Sequence, residues 1–141
     1  ILDMSGNVGT QSLAVSVRIL SVGDVDNKKL RKTVFRELTV GFINGLIVGT
    51  LSAIAVCIFT FVTKSAGNEF SSALTAGLSV GIAMIAATTV SSLTGTLIPI
   101  FFYKIKVDPA VASGPLITTV NDLAAITVYY GVAAILFASL L

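Results

Sequence analysis

Three apolar stretches run from about Thr39 to Thr63, from about Ser71 to Tyr103 and from about Pro109 to Leu141, and Asp122 is the only charged side chain inside any of them. A helix needs about 20 residues to cross about 30 Å of hydrocarbon, so each stretch is long enough to span a bilayer with some tilt. A fourth apolar segment, Ile1 to about Leu20, is interrupted by Gly6, Asn7, Gly9, Thr10 and Gln11 and reads as a complete or truncated span. Backbone polar groups in lipid must be satisfied within the protein, which leaves helices or closed barrels, and these unbroken runs lack the alternation of barrel strands. The expected fold is an all-α membrane protein, a polytopic helical bundle of four apolar segments.

Composition excludes the alternatives. Charged residues make up 11% of the 141 positions, against about 25% in an ordinary soluble domain, while hydrophobic residues make up 55% and the mean hydropathy is +0.97. A soluble monomer would have no water-facing alternative for most of its side chains. The net charge of +2 is small and its positive residues sit between apolar runs, so no nucleic-acid partner is expected. The chain has no His and one Cys, Cys57 in the middle of an apolar run. Disulfide, Cys/His metal and nucleophilic triad chemistry therefore lack partners, and an enzyme is not expected. The segment Asp24-Val25-Asp26-Asn27 begins like a calcium loop but continues with Lys28, Lys29 and Phe35 where such a loop needs an oxygen ligand, Gly and Glu. It reads as a solvated turn.

Charge placement predicts orientation. The first connection carries Lys28, Lys29, Arg31, Lys32 and Arg36 with Arg18 at its edge, the second only Lys64, and the third Lys104 and Lys106. Short cytoplasmic loops collect Lys and Arg, so the first and third connections are expected in the cytoplasm and the C-terminus outside, in a multi-pass inner-membrane protein. Phe101, Phe102 and Tyr103 would anchor the cytoplasmic interface, and Gly41, Gly45 and Gly49, like Gly77 and Gly81, recur every four residues to form close-packing helix faces.

Asp122 stands out. Helix counted from Pro109 would place it about 20 Å along a span, where an isolated acid is costly, and no Lys or Arg lies deep in the spans to pair with it. On a 3.6-residue period Val111, Pro115, Thr118, Thr119, Ala125, Ile126 and Tyr129 share its side, with Gly114 at the margin, and Leu116, Ile117, Val120, Ala124 and Val128 lie opposite. The Asp122 side is mostly small, hydroxylated or Pro, and Pro115 is expected to free nearby carbonyls. A lone acid on such a face reads as a cation route.

At these residues the sequence resembles the MgtE magnesium channels and their eukaryotic solute-carrier relatives. The matching words are Gly6-Asn7-Val8-Gly9-Thr10-Gln11-Ser12, Ser92-Leu93-Thr94-Gly95, and Asp108-Pro109-Ala110 through Ser113-Gly114-Pro115 to Thr119-Val120-Asn121-Asp122, in the family's order. The resemblance implies a five-helix transmembrane domain that forms a homodimer, of which residues 1–141 hold helices two to five. The family's first helix and cytoplasmic sensor domains would lie outside the chain, which also opens at Ile1 in the manner of a fragment. The ion path would follow the dimer axis, lined by the family's second and fifth helices. Asp122 would contact hydrated Mg²⁺, with a backbone carbonyl contributed by Thr118. A side-chain amide found in some members falls on Gly114 and is missing here. Mg²⁺ is the transported ion, not a catalytic cofactor, and Asn7 and Gln11 are further candidates for polar pore lining. Two other readings accompany this one: a proton-coupled carrier with Asp122 as the titrating group, and a non-transporting scaffold that binds partner helices through its glycine face.

Overall fold

The computed structural model describes residues 1–23, 25–63, 70–111 and 114–138. Four helices fill nearly all of it: α1 Leu2–Ser21, α2 Asn27–Thr63, α3 Phe70–Lys104 and α4 Gly114–Ala138, with a short 3₁₀ turn at Pro109–Val111 ahead of α4. The helices α2, α3 and α4 are each long and apolar enough to cross a membrane. The shorter α1, 20 residues or about 30 Å, carries Ser, Gly, Asn, Thr and Gln through its length.

The basic segment expected as a connection is helical. Leu30, Thr33 and Glu37 are buried while Lys28, Lys29, Arg31, Lys32 and Arg36 are exposed, so one face packs and the other is charged. The same buried stripe continues without a break through Gly41, Gly45 and Gly49. At 37 residues α2 is about 55 Å long, nearly twice the hydrocarbon thickness, so its basic first turns project past the apolar layer. Its other face presents Phe42, Ile43, Leu46, Ile47, Leu51, Ile54, Ile58 and Phe59 outward, a surface that only lipid or another apolar partner can solvate.

The centre of the bundle is α3, in whose most apolar window 44% of residues are buried, against 11% in α2 and 17% in α4. It runs antiparallel to α2 across the glycine stripe. A methyl placed on Gly41 would come within 2.5 Å of Ser92 Cβ, one on Gly49 within 2.8 Å of Gly81 O, and one on Gly45 would collide with Thr88 Oγ1. From the α3 side, Gly77 meets Ala53 O at 2.6 Å in the same sense. The face on which a partner-helix scaffold would rest is thus occupied by α3 of the same chain. Cys57 is half-buried beside it.

At one end of the bundle Leu20, Leu30 and Ile100 form a small apolar cluster with Val25, Val34 and Tyr103 around it. Tyr103 is more than an interface aromatic, because its hydroxyl accepts the Val25 N–H at 3.2 Å and so ties the end of α3 to the α1–α2 turn. Phe102 packs against the buried pair Leu13 and Ile117, and Phe101 is exposed. Gly23, at φ +117°, makes the turn out of α1 that a side chain would strain. Asp24 and Lys64 lie outside the described residues.

Gly45→Ile should destabilise the purified protein by about 1–3 kcal/mol through overpacking against Thr88 and Ile85. Gly131→Ala, where a Cβ meets nothing within 4 Å, should leave the thermal midpoint in detergent unchanged or raise it. Equal losses in both variants would mean that the glycine stripe is not the contact that holds α2 to α3.

Candidate functional site

Three helices converge at two glycines. Gly9 of α1 and Gly95 of α3 lie so close that a methyl on Gly95 would overlap the Gly9 carbonyl, and a methyl on Gly9 would overlap the Asn121 amide of α4 and come within 2.5 Å of Ser91 Oγ. Pro99, buried one turn beyond, has no N–H for the Gly95 carbonyl.

Hydroxyls fasten this junction. Ser91 Oγ donates to Ser5 O at 2.5 Å and Ser92 Oγ donates to Glu37 O at 2.5 Å. Since the Ser92 proton is committed to Glu37, Ser12 Oγ, 3.1 Å away, is the donor of the pair Ser12–Ser92. Thr94 Oγ1 reaches both Ser91 O, at 2.9 Å, and Asn121 Oδ1. Asn121 is 0% exposed, and its Nδ2 has no hydrogen-bond partner among the described residues. Through these contacts Ser92 joins α1, α2 and α3, while Thr94 joins α3 to α4.

The junction sets the rotation of α4. Ile117, Asn121 and Ala125, one face at i, i+4 and i+8, are buried against α1 and α3. Asp122, one position on, is thereby turned to the boundary of the bundle and is half-buried. It lines a groove of about 290 Å³ with Thr118 from α4 and Leu2, Asp3, Gly6, Asn7 and Thr10 from α1. Thr118 Oγ1 donates to Gly114 O at 2.8 Å, and Thr10 Oγ1 lies 3.1 Å from Gly6 O and 3.0 Å from Asn7 O. With their protons spent on preceding carbonyls, these hydroxyls present lone pairs outward. The groove is therefore lined by oxygen: two carboxylates, one amide and two hydroxyls.

Of the residues singled out in the sequence, Asp122, Thr118 and Asn7 come together here. Gln11, Pro115, Thr119 and Val111 are exposed and Gly114 is half-buried, and none of them lines this groove. Four expectations are corrected. Helix α4 opens at Gly114 and not at Pro109, so Asp122 lies eight residues, about 12 Å, into it. Val111 belongs to the 3₁₀ turn and shares no helical face with Asp122. Pro115 sits in the first turn of α4, where its missing N–H would have had no intrahelical acceptor, and it frees no carbonyl within the span. Ala125, assigned to the wet side, is 1% exposed and packs inward beside Ile117, which was assigned to the opposite side and is fully buried as that side allows.

Two residues were given no role by the sequence reading: Asp3, which it did not name, and Asn121, which it named only within the family resemblance. Asp3 lies four positions before Asn7, and Asp3, Gly6, Asn7 and Thr10 follow the i, i+3, i+4, i+7 spacing of one helical face. That spacing was present to be read. Asn121 gave no such signal, because nothing local distinguishes a packed amide from a pore-lining one. Among the described residues no group of three or more His, Cys, Asp or Glu is placed to hold a metal ion. Direct chelation by a cage of acids is not what this groove offers.

Fold and groove define a multi-pass helical membrane protein with an acidic, oxygen-lined groove between its first and last helices. Residues 1–132 match the family model MgtE, described as divalent cation transporter. The chain is 36% identical over 137 residues to the magnesium transporter MgtE of Bacillus subtilis, covering 97% of this chain and 28% of that protein. It is 37% identical over 134 residues to that of Enterococcus faecalis, covering 95% and 27%. Against that of Thermus thermophilus the identity is 30% over 136 residues, covering 96% and 28%. This chain belongs to the MgtE family of divalent cation transporters. It spans little more than a quarter of the length of these relatives.

The junction yields a stability prediction. Gly9→Ala should cost about 1–3 kcal/mol, since Asn121 and Ser91 must both move, whereas Asn7→Ala at an exposed position should stay within about 0.5 kcal/mol. Thermal unfolding in one detergent measures both. A Gly9→Ala protein as stable as its parent would remove the glycine contact as the device that sets α4.

Proposed function

We propose that the chain is the membrane part of a Mg²⁺ transporter, and that Asp122 is the acid that selects the ion. The observation that carries this reading is the groove itself, in which Asp122 and Thr118 of α4 face Asn7 of α1 with no cation beside them among the described residues. Mg²⁺ prefers carboxylate and carbonyl oxygens and gives up its water reluctantly, so a sparse oxygen-lined site suits a hydrated ion. Conduction also requires release, which such a site permits better than a cage of direct ligands. The names of the three relatives, each a magnesium transporter, support the choice of ion.

In this proposal two copies of the chain meet along a two-fold axis, with α1 and α4 lining the path. Two Asp122 carboxylates then share the ion, joined by the Thr118 carbonyls. Gly114, Pro115, Thr119, Val111 and Gln11, outside the single-chain groove, would line the path across that axis. The first helix and cytoplasmic domains of the family complete the protein in the full-length transporter. The basic start of α2 lies in the cytoplasm of a cell bounded by the inner membrane, and the end of α4 lies outside.

Mg²⁺ uptake into proteoliposomes, compared between the parent and Asp122→Asn after both elute as dimers, tests the proposal. The Asn variant keeps the shape and removes the charge, and a loss of flux of tenfold or more, about 1.4 kcal/mol, is expected. Equal flux would make the acid structural. Flux should also be indifferent to an imposed proton gradient; dependence on that gradient would transfer the function to a proton-coupled carrier.

A further inference from the structure

The helices α1 and α2 are held apart by α3 along most of their length and come together at the Leu20 and Leu30 cluster. Beside that cluster they leave a cavity of about 280 Å³ lined by Val15, Arg18, Ile19 and Val22 of α1 and its turn, and by Lys29 and Arg36 of α2. Three cations from two helices thus share one cavity with three apolar side chains. No ion pair joins any of them to an acid among the described residues. Glu37, the neighbour of Arg36, is buried in the stripe that faces α3, and Asp26 is exposed ahead of α2, where its carbonyl accepts the Lys29 and Leu30 N–H groups.

The remaining cations of this region behave differently. Lys28, Arg31 and Lys32 lie with Phe35 around a separate, more open depression, and Arg31 stands 6.0 Å from the Phe35 ring centre. They occupy the same early turns of α2 as Lys29 and Arg36, but the depression that they line includes no residue of α1.

We propose that the Arg18–Lys29–Arg36 cavity is a binding site for an anionic phospholipid, with the phosphate on the three cations and the start of an acyl chain along Ile19 and Val15. Its position supplies the argument. The cavity sits where the basic first turns of α2 give way to its apolar run, so a headgroup and a chain that arrive together from one leaflet would each meet its own chemistry. Basic pockets between transmembrane helices at this interface fit anionic headgroups, and each Lys or Arg near the surface adds roughly fivefold in affinity. An acidic soluble segment would use the cations but leave the apolar wall unmatched. The site is separate from the Asp122 groove, and the inference stands whether or not that groove conducts.

Two triple variants with the same loss of charge separate a site from diffuse attraction: Arg18→Gln/Lys29→Gln/Arg36→Gln inside the cavity, and Lys28→Gln/Arg31→Gln/Lys32→Gln outside it. Binding of phosphatidylglycerol and of phosphatidylcholine with matched chains is read on the detergent-solubilised chain by native mass spectrometry and by the shift in thermal midpoint. The parent and the outside triple should bind phosphatidylglycerol well above phosphatidylcholine, and the cavity triple should lose on the order of 100-fold in affinity. Equal losses in the two triples would reduce the site to surface charge and overturn the proposal. So would retention of binding by the cavity triple. Glycerol 3-phosphate, which has the headgroup charge without chains, should bind far more weakly, and a polyglutamate peptide should not compete; full binding or competition by either would reassign the cavity to a free phosphate or an acidic polypeptide. If the cavity triple does not fold, Arg18→Gln and Lys29→Gln singly should each show a roughly fivefold loss, and no loss in either overturns the site.

Discussion

The whole arrangement depends on backbone-to-backbone approach between helices at glycine. Lipid solvates an apolar helix as well as another helix does, so burial of Leu or Phe gives little reason for spans to associate. What remains is close packing and hydrogen bonding across the contact. Gly41, Gly45 and Gly49 let α2 descend onto α3, and Gly9 against Gly95 does the same for α1. Only at that separation do short hydroxyls such as Ser91 and Ser92 reach a carbonyl on a neighbouring helix.

This explains why the core is polar where a soluble protein's would be apolar. The fully buried side chains include Thr88, Thr96, Ser5, Ser12, Ser91, Ser92 and Asn121, while Phe59, Phe61 and Leu51 point outward. Small hydroxyl residues can satisfy one another or the preceding turn of their own helix, as Thr88 does to Met84 O and Thr96 to Ser92 O. The site inherits its geometry from this core. Asn121 is locked between Thr94 and Gly9, and Asp122, one residue on and about 100° around the helix, is left at the edge of the groove with Asn7 and Asp3. The three sequence words that carry the family resemblance are thus the three walls of one junction, and Asp122 is its outward-facing neighbour.

The spans were legible in the sequence because length and the absence of charge are local properties, and lipid demands both. The start of α2 was not: a run of Lys and Arg reads as a loop until Leu30, Thr33 and Glu37 are seen to continue the stripe of Gly41. The two sides of α4 were partly misassigned for a different reason. A helical wheel around Asp122 gives angles but cannot tell which angle meets α1 and α3, so Ala125 falls on the Asp122 side of the wheel although it is buried in the bundle.

By itself, the sequence determined that this chain lives in a membrane as helices and that Asp122 is the one acid within a long apolar run. Those conclusions need only hydropathy, backbone hydrogen bonding and the cost of an unpaired charge, none of which requires knowing a neighbour. Tertiary structure alone decided that the glycine stripe is used within the chain, that Asp3 joins Asp122, and that Arg18 meets Lys29 and Arg36. Each of these brings together residues from different helices, and the rotation and separation of those helices follow from contacts that no single segment contains.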